Sequence, residues 1–242
     1  MKILIISDIH ANLTALETVL DDAEDFDAAW CLGDLVGYGP DPNECIDRVR
    51  ALPGLVCVLG NHAAAVIKKI DDNAFNQDAR LAVDWTARTL TPESYEFLQN
   101  LPERQLADDV TLVHGSPRQP IWEYLLDTRT VTLNFSFFET PYCFVGHTHL
   151  PVVYFLADDS RSARLTIPEH NTQIALAPRT IINPGSVGQP RDRDPRAAYA
   201  FYDPDQNLWE FHRVAYDIAD VQSRMRLANL PERHIIRLAA GW

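Results

Sequence analysis

The chain has 242 residues, of which 46% are hydrophobic, and its formal net charge is −13. This length and composition suit one large domain with a sizeable core, and the acidic balance argues against nucleic acid or an acidic membrane as a partner held by surface charge. No stretch is long enough for a transmembrane helix, and the apolar start at Ile3–Ile6 is too short for a signal peptide.

The four cysteines form no CxxC pair, and most of them lie in apolar runs. They are Cys31, Cys45, Cys57 and Cys143. This usage favours small buried thiols in a reducing compartment over disulfides or metal ligands. We therefore predict a cytoplasmic protein.

The first half alternates strand and helix signals. Strands are predicted at Lys2–Ser7, Ala28–Leu32 and Leu55–Leu59, and helices begin at Asn12 and at Asp41-Pro42. Further helices are predicted at Ala63–Lys69, at Gln77–Leu90 and from Pro92 to a point before Pro102. This βαβ rhythm predicts a parallel sheet covered by helices.

The second half is richer in short strands separated by turn residues, which favours a largely antiparallel sheet. The predicted strands are Val110–Val113, Tyr142–Val145, Val152–Leu156, Arg164–Ile167, Gln173–Ala177, Thr180–Ile182, Ala198–Tyr202 and Leu208–Val214. One helix at Thr128–Phe138 interrupts them, and two surface helices follow at Ile218–Ala228 and Pro231–Ala240. We predict one domain, residues 1–242, of the α/β (α+β) class, with two facing sheets and helices outside.

Five short motifs contain side chains of the types that commonly bind metals in proteins. They are Asp8-Ile9-His10, Gly33-Asp34, Gly60-Asn61-His62, His114-Gly115 and Gly146-His147-Thr148-His149. In the first four motifs the oxygen or nitrogen donor stands at or just after the end of an apolar run, so a folded sheet can bring the motifs to one rim. Five of the eight histidines lie in these motifs, and the mixed oxygen and nitrogen donors suit a pair of divalent ions.

Each motif alone has an ordinary structural explanation, such as a turn Asp, a capping Asn or a buried His; only the combination indicates a metal site. In extended backbone, Asp8 and His10 would face the same side, and His147 and His149 would do likewise. The carboxylate of Asp34 suits a bridge between two cations. Two further roles follow from residue type and spacing. The side-chain carbonyl oxygen of Asn61 can bind a metal. His62, one residue further on, is expected to point elsewhere and is a candidate acid.

The five motifs, in this order, resemble those of the calcineurin-like metallophosphoesterases, and the stretches Gly33–Pro40 and Asn183–Ser186 resemble the small prokaryotic phosphoesterase branch. The resemblance implies a four-layer αββα sandwich of two mixed sheets flanked by helices. It also implies one metal on Asp8, His10, Asp34 and His149 and a second on Asp34, Asn61, His114 and His147, with Asp34 bridging and His62 as the acid/base residue.

The chain departs from the protein serine/threonine phosphatase branch at two places. That branch has an Asp-Arg pair where Gly37 and Tyr38 stand, and an acidic residue where Ala63 stands. Protein phosphatase activity is therefore not expected, and no carboxylate that would orient His62 is evident.

The predicted function is hydrolysis of a phosphomonoester or phosphodiester bond in a small substrate, by attack of a metal-bridging hydroxide and with His62 protonating the leaving oxygen. Mn is the first expectation for the two ions, with Fe, Zn, Co or Ni as alternatives. A non-catalytic scaffold on the same fold and a nuclease are the competing functions. A homodimer is compatible with the sequence, whereas a membrane partner is not expected.

Several residues have two open interpretations. Arg118, Arg191 and Arg193 follow turn segments and could bind phosphate oxygens or be solvated loop arginines. Tyr38 could line the site or only pack. The segment Asn183–Ser186 could present backbone amides near the site, although a tight turn is favoured.

Overall fold

The computed structural model describes residues 1–242, which form two six-stranded mixed sheets packed face to face with helices on their outer faces. The strands are β1 Ile3–Ile6, β2 Ala28–Cys31, β3 Val56–Cys57, β4 Arg104–Ala107, β5 Val110–Val113, β6 Tyr142–Phe144, β7 Pro151–Phe155, β8 Arg164–Thr166, β9 Thr172–Ala175, β10 Thr180–Pro184, β11 Ala197–Asp203 and β12 Leu208–Val214. The helices are α1 Leu13–Ala23, α2 Pro42–Arg50, α3 Asn61–Val66, α4 Gln77–Thr89, α5 Pro92–Gln99, α6 Thr128–Asn134, α7 Ile218–Leu227 and α8 Glu232–Ala240, with a short 3-10 turn at Asp72–Ala74.

The first sheet has the strand order β3-β2-β1-β11-β12-β9, and the second has the order β4-β5-β6-β10-β7-β8. Strands β1, β2 and β3 are parallel, as predicted, but β11 pairs antiparallel with β1 and brings the end of the chain into the same sheet. In the second sheet β5, β6 and β10 are parallel. The prediction of a largely antiparallel sheet in the second half of the chain is therefore correct for only some of its strands.

The alternation of side chains along β1 shows how the four layers are built. Ile3 and Ile5 are buried between the two sheets, against residues such as Phe144 of β6. Leu4 and Ile6 point the other way and are buried under α1 and α2. Burial of such a side chain stabilises the fold by about 1.5–3 kcal/mol. A strand that is buried on both faces therefore consists of consecutive apolar residues.

The boundaries of most predicted elements are close to those observed, because their caps are explicit in the sequence. The Asn12 side chain accepts a hydrogen bond from the amide of Ala15 and begins α1, and Pro42 stands in the first turn of α2. The predicted helix at residues 128–138 is shorter, since α6 ends at Asn134. Strand β4 was not predicted, because its residues lie at a sheet edge and are mostly exposed.

The two C-terminal helices, predicted to be surface helices, are more buried than expected. Helices α7 and α8 share a buried apolar cluster of Val221, Met225, Leu230, Ile235 and Leu238. Some of these residues line a cavity of about 10 Å³ together with His10 and Tyr38, so the helices pack against the loops that carry the motifs.

Two simpler findings concern the whole chain. None of its helices is both long and apolar enough to cross a membrane. All four cysteines are free and buried, as the sequence predicted.

Candidate metal centre

The motif side chains converge at one edge of the sandwich, where the loops after β1, β2, β3, β5 and β6 meet. The residues Asp8, His10, Asp34, Asn61, His62, His114, His147 and His149 are all at most 3% exposed. Groups of their ligand atoms lie within 4.8 Å of one another, in the sets Asp8–His10–His149, His10–Asp34–His62 and Asp34–His114–His147. The structure therefore brings together every residue that the sequence analysis named as a ligand or acid.

The backbone that positions these side chains is not the extended chain that we expected. Asp8, His10, Asp34, His147 and His149 all have positive φ angles, between 50° and 66°. Non-glycine residues rarely adopt this conformation, and each such residue costs about 1–3 kcal/mol. The reason given for the pairing of Asp8 with His10 and of His147 with His149 was therefore wrong, although the paired side chains do reach the same region.

The contact between His10 and His149 indicates that a cation belongs here. Their Nε2 atoms lie 3.1 Å apart. The Nδ1 atom of His10 lies 3.1 Å from the carbonyl of Val36, and that of His149 lies 2.6 Å from the carbonyl of Gln189. A carbonyl only accepts, so both Nδ1 atoms carry the proton and the two Nε2 lone pairs face each other. Neutral rings in this arrangement repel unless a positive ion lies between them.

One oxygen of the Asp8 carboxylate, close to His149, lacks a hydrogen-bond donor. Its Oδ2 accepts hydrogen bonds from the Ser7 hydroxyl at 2.6 Å and the His147 amide at 3.0 Å. Its Oδ1 is buried and accepts none, although it lies 3.2 Å from Nε2 of His149. A buried carboxylate oxygen without a donor is costly, and a divalent cation would satisfy it.

A second group of acceptors surrounds His114. Its Nδ1 donates to the carbonyl of Leu32 at 2.8 Å, which leaves Nε2 facing Oδ1 of Asn61 at 3.1 Å and Oδ2 of Asp34 at 3.2 Å. Nε2 of His147 lies 3.1 Å from the carbonyl of Trp122, so the other ring nitrogen of His147 is free to bind a metal.

Asp34 connects the two groups. Its Oδ2 lies 3.8 Å from Nε2 of His10 and 3.2 Å from Nε2 of His114. Its Oδ1 accepts a hydrogen bond from the backbone amide of His62 at 3.0 Å. One carboxylate oxygen is thus near ligands of both predicted metals, which is the position that a bridging ligand requires.

The electrostatics of the site favour neutral imidazoles on one side and an ion pair on the other. Burial lowers the pKa of His10 and of His149 well below the usual value. Burial also opposes charge on His114, but the nearby Asp34 carboxylate outweighs it and raises the pKa of His114 to about 9. A proton on His114 would satisfy its own contacts, whereas neutral His10 and His149 leave two acceptor nitrogens facing each other. The donor set of imidazole, carboxylate and amide oxygen fits a divalent transition metal.

His62 is oriented by packing instead of by a carboxylate. Its ring lies 4.3 Å from the ring of Tyr38 and 4.9 Å from that of Phe75, measured between centroids, and its Nδ1 has no hydrogen-bond partner. Gly37 has a φ of 92°, and a Cβ there would stand 2.5 Å from Nδ1 of His62. Burial and the charge of Arg191 lower the pKa of His62 to about 4, against the effect of Asp34.

The predicted substrate residues lie in different environments in the structure. Tyr38 is 7% exposed and packs between His10 and His62, so it both packs and lines the site. The guanidinium of Arg191 lies 5.9 Å from the centre of the Tyr38 ring. Arg118, in contrast, forms an ion pair with Glu123. Arg193 is exposed, and its backbone amide donates to the carbonyl of Gly241.

Sequence reasoning missed the residues that hold the ligand loops in place. The side-chain amide of Asn183 donates to the carbonyl of Gly146 at 2.6 Å and to the hydroxyl of Thr148 at 3.0 Å. The hydroxyl of Ser186 donates to the carbonyl of Asp8 at 2.8 Å. Asn183 and Pro184 are the last residues of β10, so the favoured tight turn is not observed for them, and the segment Asn183–Ser186 instead braces two ligand loops. Its polar residues after an apolar strand were the only available signal.

The comparison with known families decides which one the chain belongs to. The profile of the calcineurin-like phosphoesterase superfamily domain matches residues 1–207. The chain belongs to the calcineurin-like phosphoesterase superfamily. Helices α7 and α8 lie outside the matched residues.

Individual relatives of this calcineurin-like chain agree with the assignment. The crystal structure of a metallophosphoesterase from Sphaerobacter thermophilus is similar with a TM-score of 0.91 and 50% identity, over 100% of this chain and 99% of that one. An uncharacterized protein from Methanocaldococcus jannaschii is 37% identical over 238 residues, which are 95% of this chain and 94% of the relative. A shorter match of 66 residues, 26% of this chain and 24% of the relative, is 42% identical to the symmetrical bis(5′-nucleosyl)-tetraphosphatase of Erwinia tasmaniensis.

Proposed function

We propose that this calcineurin-like protein is a dinuclear-metal-dependent phosphoesterase that hydrolyses a phosphomonoester or phosphodiester bond in a small substrate. The observation that carries the proposal is the pair of facing Nε2 lone pairs on His10 and His149, 3.1 Å apart in a fully buried site. A metal ion bound by both Nε2 atoms would remove the repulsion between these lone pairs.

The residues that would hold the metals divide into two sets that share Asp34. Asp8, His10 and His149 would hold one ion, and Asn61, His114 and His147 the other. Two divalent ions in this site would supply Lewis-acid activation of a water and neutralisation of phosphate charge. Since Asp8 and Asp34 are the only carboxylates in these sets, the loaded pocket would be positive and would suit a phosphate, despite the net charge of −13 on the chain.

His62 would donate a proton to the leaving oxygen as the bond between phosphorus and that oxygen breaks. Its contacts with Tyr38 and Phe75 fix the direction of the ring, and its Nδ1 atom has no hydrogen-bond partner. A bound phosphate anion would favour the protonated form of His62 and oppose the effect of burial. General-acid catalysis of this kind is worth about 10²–10⁴-fold in rate.

Two features support a single catalytic unit in a reducing compartment. Helices α7 and α8 line a cavity with His10 and Tyr38, so we propose that residues 1–242 act as one domain. The four buried free thiols support a cytoplasmic location.

The test is a panel of aryl phosphomonoesters and phosphodiesters assayed with added Mn²⁺ and, in parallel, with a chelator. The proposal expects turnover with metal and loss of that turnover with the chelator. Absence of turnover on every ester in the presence of Mn²⁺ would favour the scaffold function instead.

A further inference from the structure

Two arginines beside the candidate metal centre have no acidic partner. Neither Arg191 nor Arg237 takes part in an ion pair, and the Nε atom of each is buried without a hydrogen-bond partner. Other partly buried arginines are paired with carboxylates: Arg118 with Glu123, Arg213 with Asp192 and Arg224 with Asp41. The lack of a carboxylate partner distinguishes Arg191 and Arg237 from these three arginines.

Tyr38 lies between the candidate metal centre and the region that contains these two arginines. The Tyr38 ring is 4.3 Å from the ring of His62 on one side and 4.4 Å from that of His234, a residue of α8, on the other. The guanidinium of Arg191 lies 5.9 Å from the centre of the Tyr38 ring. Arg237 is one turn after His234 on α8, and its guanidinium lies 5.7 Å from the centre of the Trp242 ring.

One cavity connects the surroundings of the two arginines, because Gln189, which Arg191 contacts, and Leu238, next to Arg237, line it together with Tyr38. Burial lowers the pKa of Arg237, and the charge of Arg191 lowers it further. Asp78 acts on Arg237 in the opposite direction, but it makes no ion pair with it within 4.0 Å. Like charges that are partly desolvated and unpaired are unfavourable, and an anion bound between them would remove the penalty.

Neighbouring polar groups are also left without partners. Gln189 is 1% exposed and accepts a hydrogen bond from Arg191 at 3.1 Å, but its Nε2 has none. His234 is fully buried, and neither of its ring nitrogens is hydrogen-bonded. A concentration of unsatisfied donors in one place is typical of a binding site for a polar ligand.

We propose that Arg191 and Arg237 bind a second phosphate group of the substrate, adjacent to the one that the metal centre holds. The substrate class is then a compound with two or more linked phosphates, such as a nucleoside polyphosphate. Helix α8 is thereby a specificity element, supplied by the part of the chain beyond the matched residues 1–207. The inference rests on the proposed function, because it presumes a phosphate at the metal centre.

The test is calorimetric binding of two non-hydrolysable probes, methylphosphonate and methylenediphosphonate, to the full chain at a fixed free Mn²⁺ concentration. The wild-type protein is expected to bind the diphosphonate at least about tenfold more tightly. Arg191→Gln and Arg237→Gln should each remove most of this advantage and leave methylphosphonate affinity within about threefold. Arg164→Gln is the matched control, since it removes one exposed charge on β8, and it should change neither affinity.

Arg237→Lys keeps the charge on α8 and is expected to retain part of the advantage, which separates loss of charge from disturbance of the helix. Equal affinities of the two probes in the wild-type protein would overturn the inference, as would an unchanged diphosphonate affinity in both Gln variants. If methylphosphonate binds and aryl phosphates are hydrolysed under those outcomes, the proposed function survives. Binding of neither probe overturns the inference, and it overturns the proposed function as well only if no aryl ester is hydrolysed.

Discussion

The carboxylate of Asp34 accepts a hydrogen bond from the backbone amide of His62 at 3.0 Å, while its other oxygen lies 3.2 Å from Nε2 of His114. A single side chain thus orients the start of α3, which carries the candidate acid, and joins the two groups of candidate ligands. We therefore expect metal binding and proton transfer in this site to be linked through Asp34.

Replacement of Asp34 should therefore have the widest effect. We expect Asp34→Ala to empty both metal positions and to reduce activity by more than about 10³-fold, since no other residue bridges the two ligand groups. Elemental analysis after gel filtration measures the metal. The control is Asp47→Ala, which removes an exposed carboxylate from α2. An Asp34→Ala protein with wild-type activity would contradict the bridging role.

Replacement of His62 should separate chemistry from metal binding. We expect His62→Ala to keep its metal content but to lower turnover by about 10²–10⁴-fold on esters with alkyl leaving groups. The loss should be smaller on nitrophenyl esters, because nitrophenolate leaves with little help from a proton. Rates on the two ester types, measured with metal content, check this. Loss of both metals in His62→Ala, or an equal loss of rate on both esters, would count against the assignment.

The sequence predicted which side chains lie together better than the backbone geometry that presents them. His10 and His149 could be named because each lies in a short motif, and residue types with known donor atoms can be identified in any order along a chain. Their positive φ angles of 50° and 60° were not predictable, because non-glycine residues adopt them only when the surrounding structure compensates for the strain. The same limit applies to Asn183 and Ser186, whose bracing bonds join segments distant in sequence.

The fold was predictable where local signals agree with the packing. The run Ile3–Ile6 indicated a strand buried on both faces, and Asn12 marked the start of α1. The edge strand β4 was missed because its exposed residues have no apolar pattern. The pairing of β11 with β1 connects residues about 200 positions apart, and no local property of either strand specifies it.

Gly37 is expected to be necessary for the orientation of His62. A Cβ at this position would stand 2.5 Å from Nδ1 of His62, so Gly37→Ala should displace the ring and lower turnover by at least about tenfold. The control is Gly54→Ala, where φ is also positive, at 52°, and a Cβ meets only Ala28 and Asp27. Both variants should lose stability by about 1–3 kcal/mol, but only Gly37→Ala should lose activity. Equal activity in the two variants would refute this role.

His234 should make the protein less stable in acid. Burial lowers its pKa to about 4, with Arg237 and Arg191 acting in the same direction and Asp78 in the opposite one. Because the unfolded chain takes up the proton first, near pH 6.5, this stability is fully present above pH 6.5 and is lost as the pH falls toward 4. The effect on the free energy of unfolding is of order 3 kcal/mol.

The measurement is urea unfolding of the metal-free protein at several pH values between about 7 and 4, with His234→Gln as the variant. The variant should be less sensitive to acid than the wild-type protein across this range. A parallel pH dependence of the two proteins would show that His234 is not responsible.

The central claim, that the buried side chains around Asp34 hold two metal ions, is tested most directly by anomalous diffraction from a crystal of the protein grown with Mn²⁺. We predict two anomalous peaks, one among Asp8, His10 and His149 and the other among Asn61, His114 and His147, with Asp34 in contact with both. A map with no manganese peak at these side chains would contradict the claim.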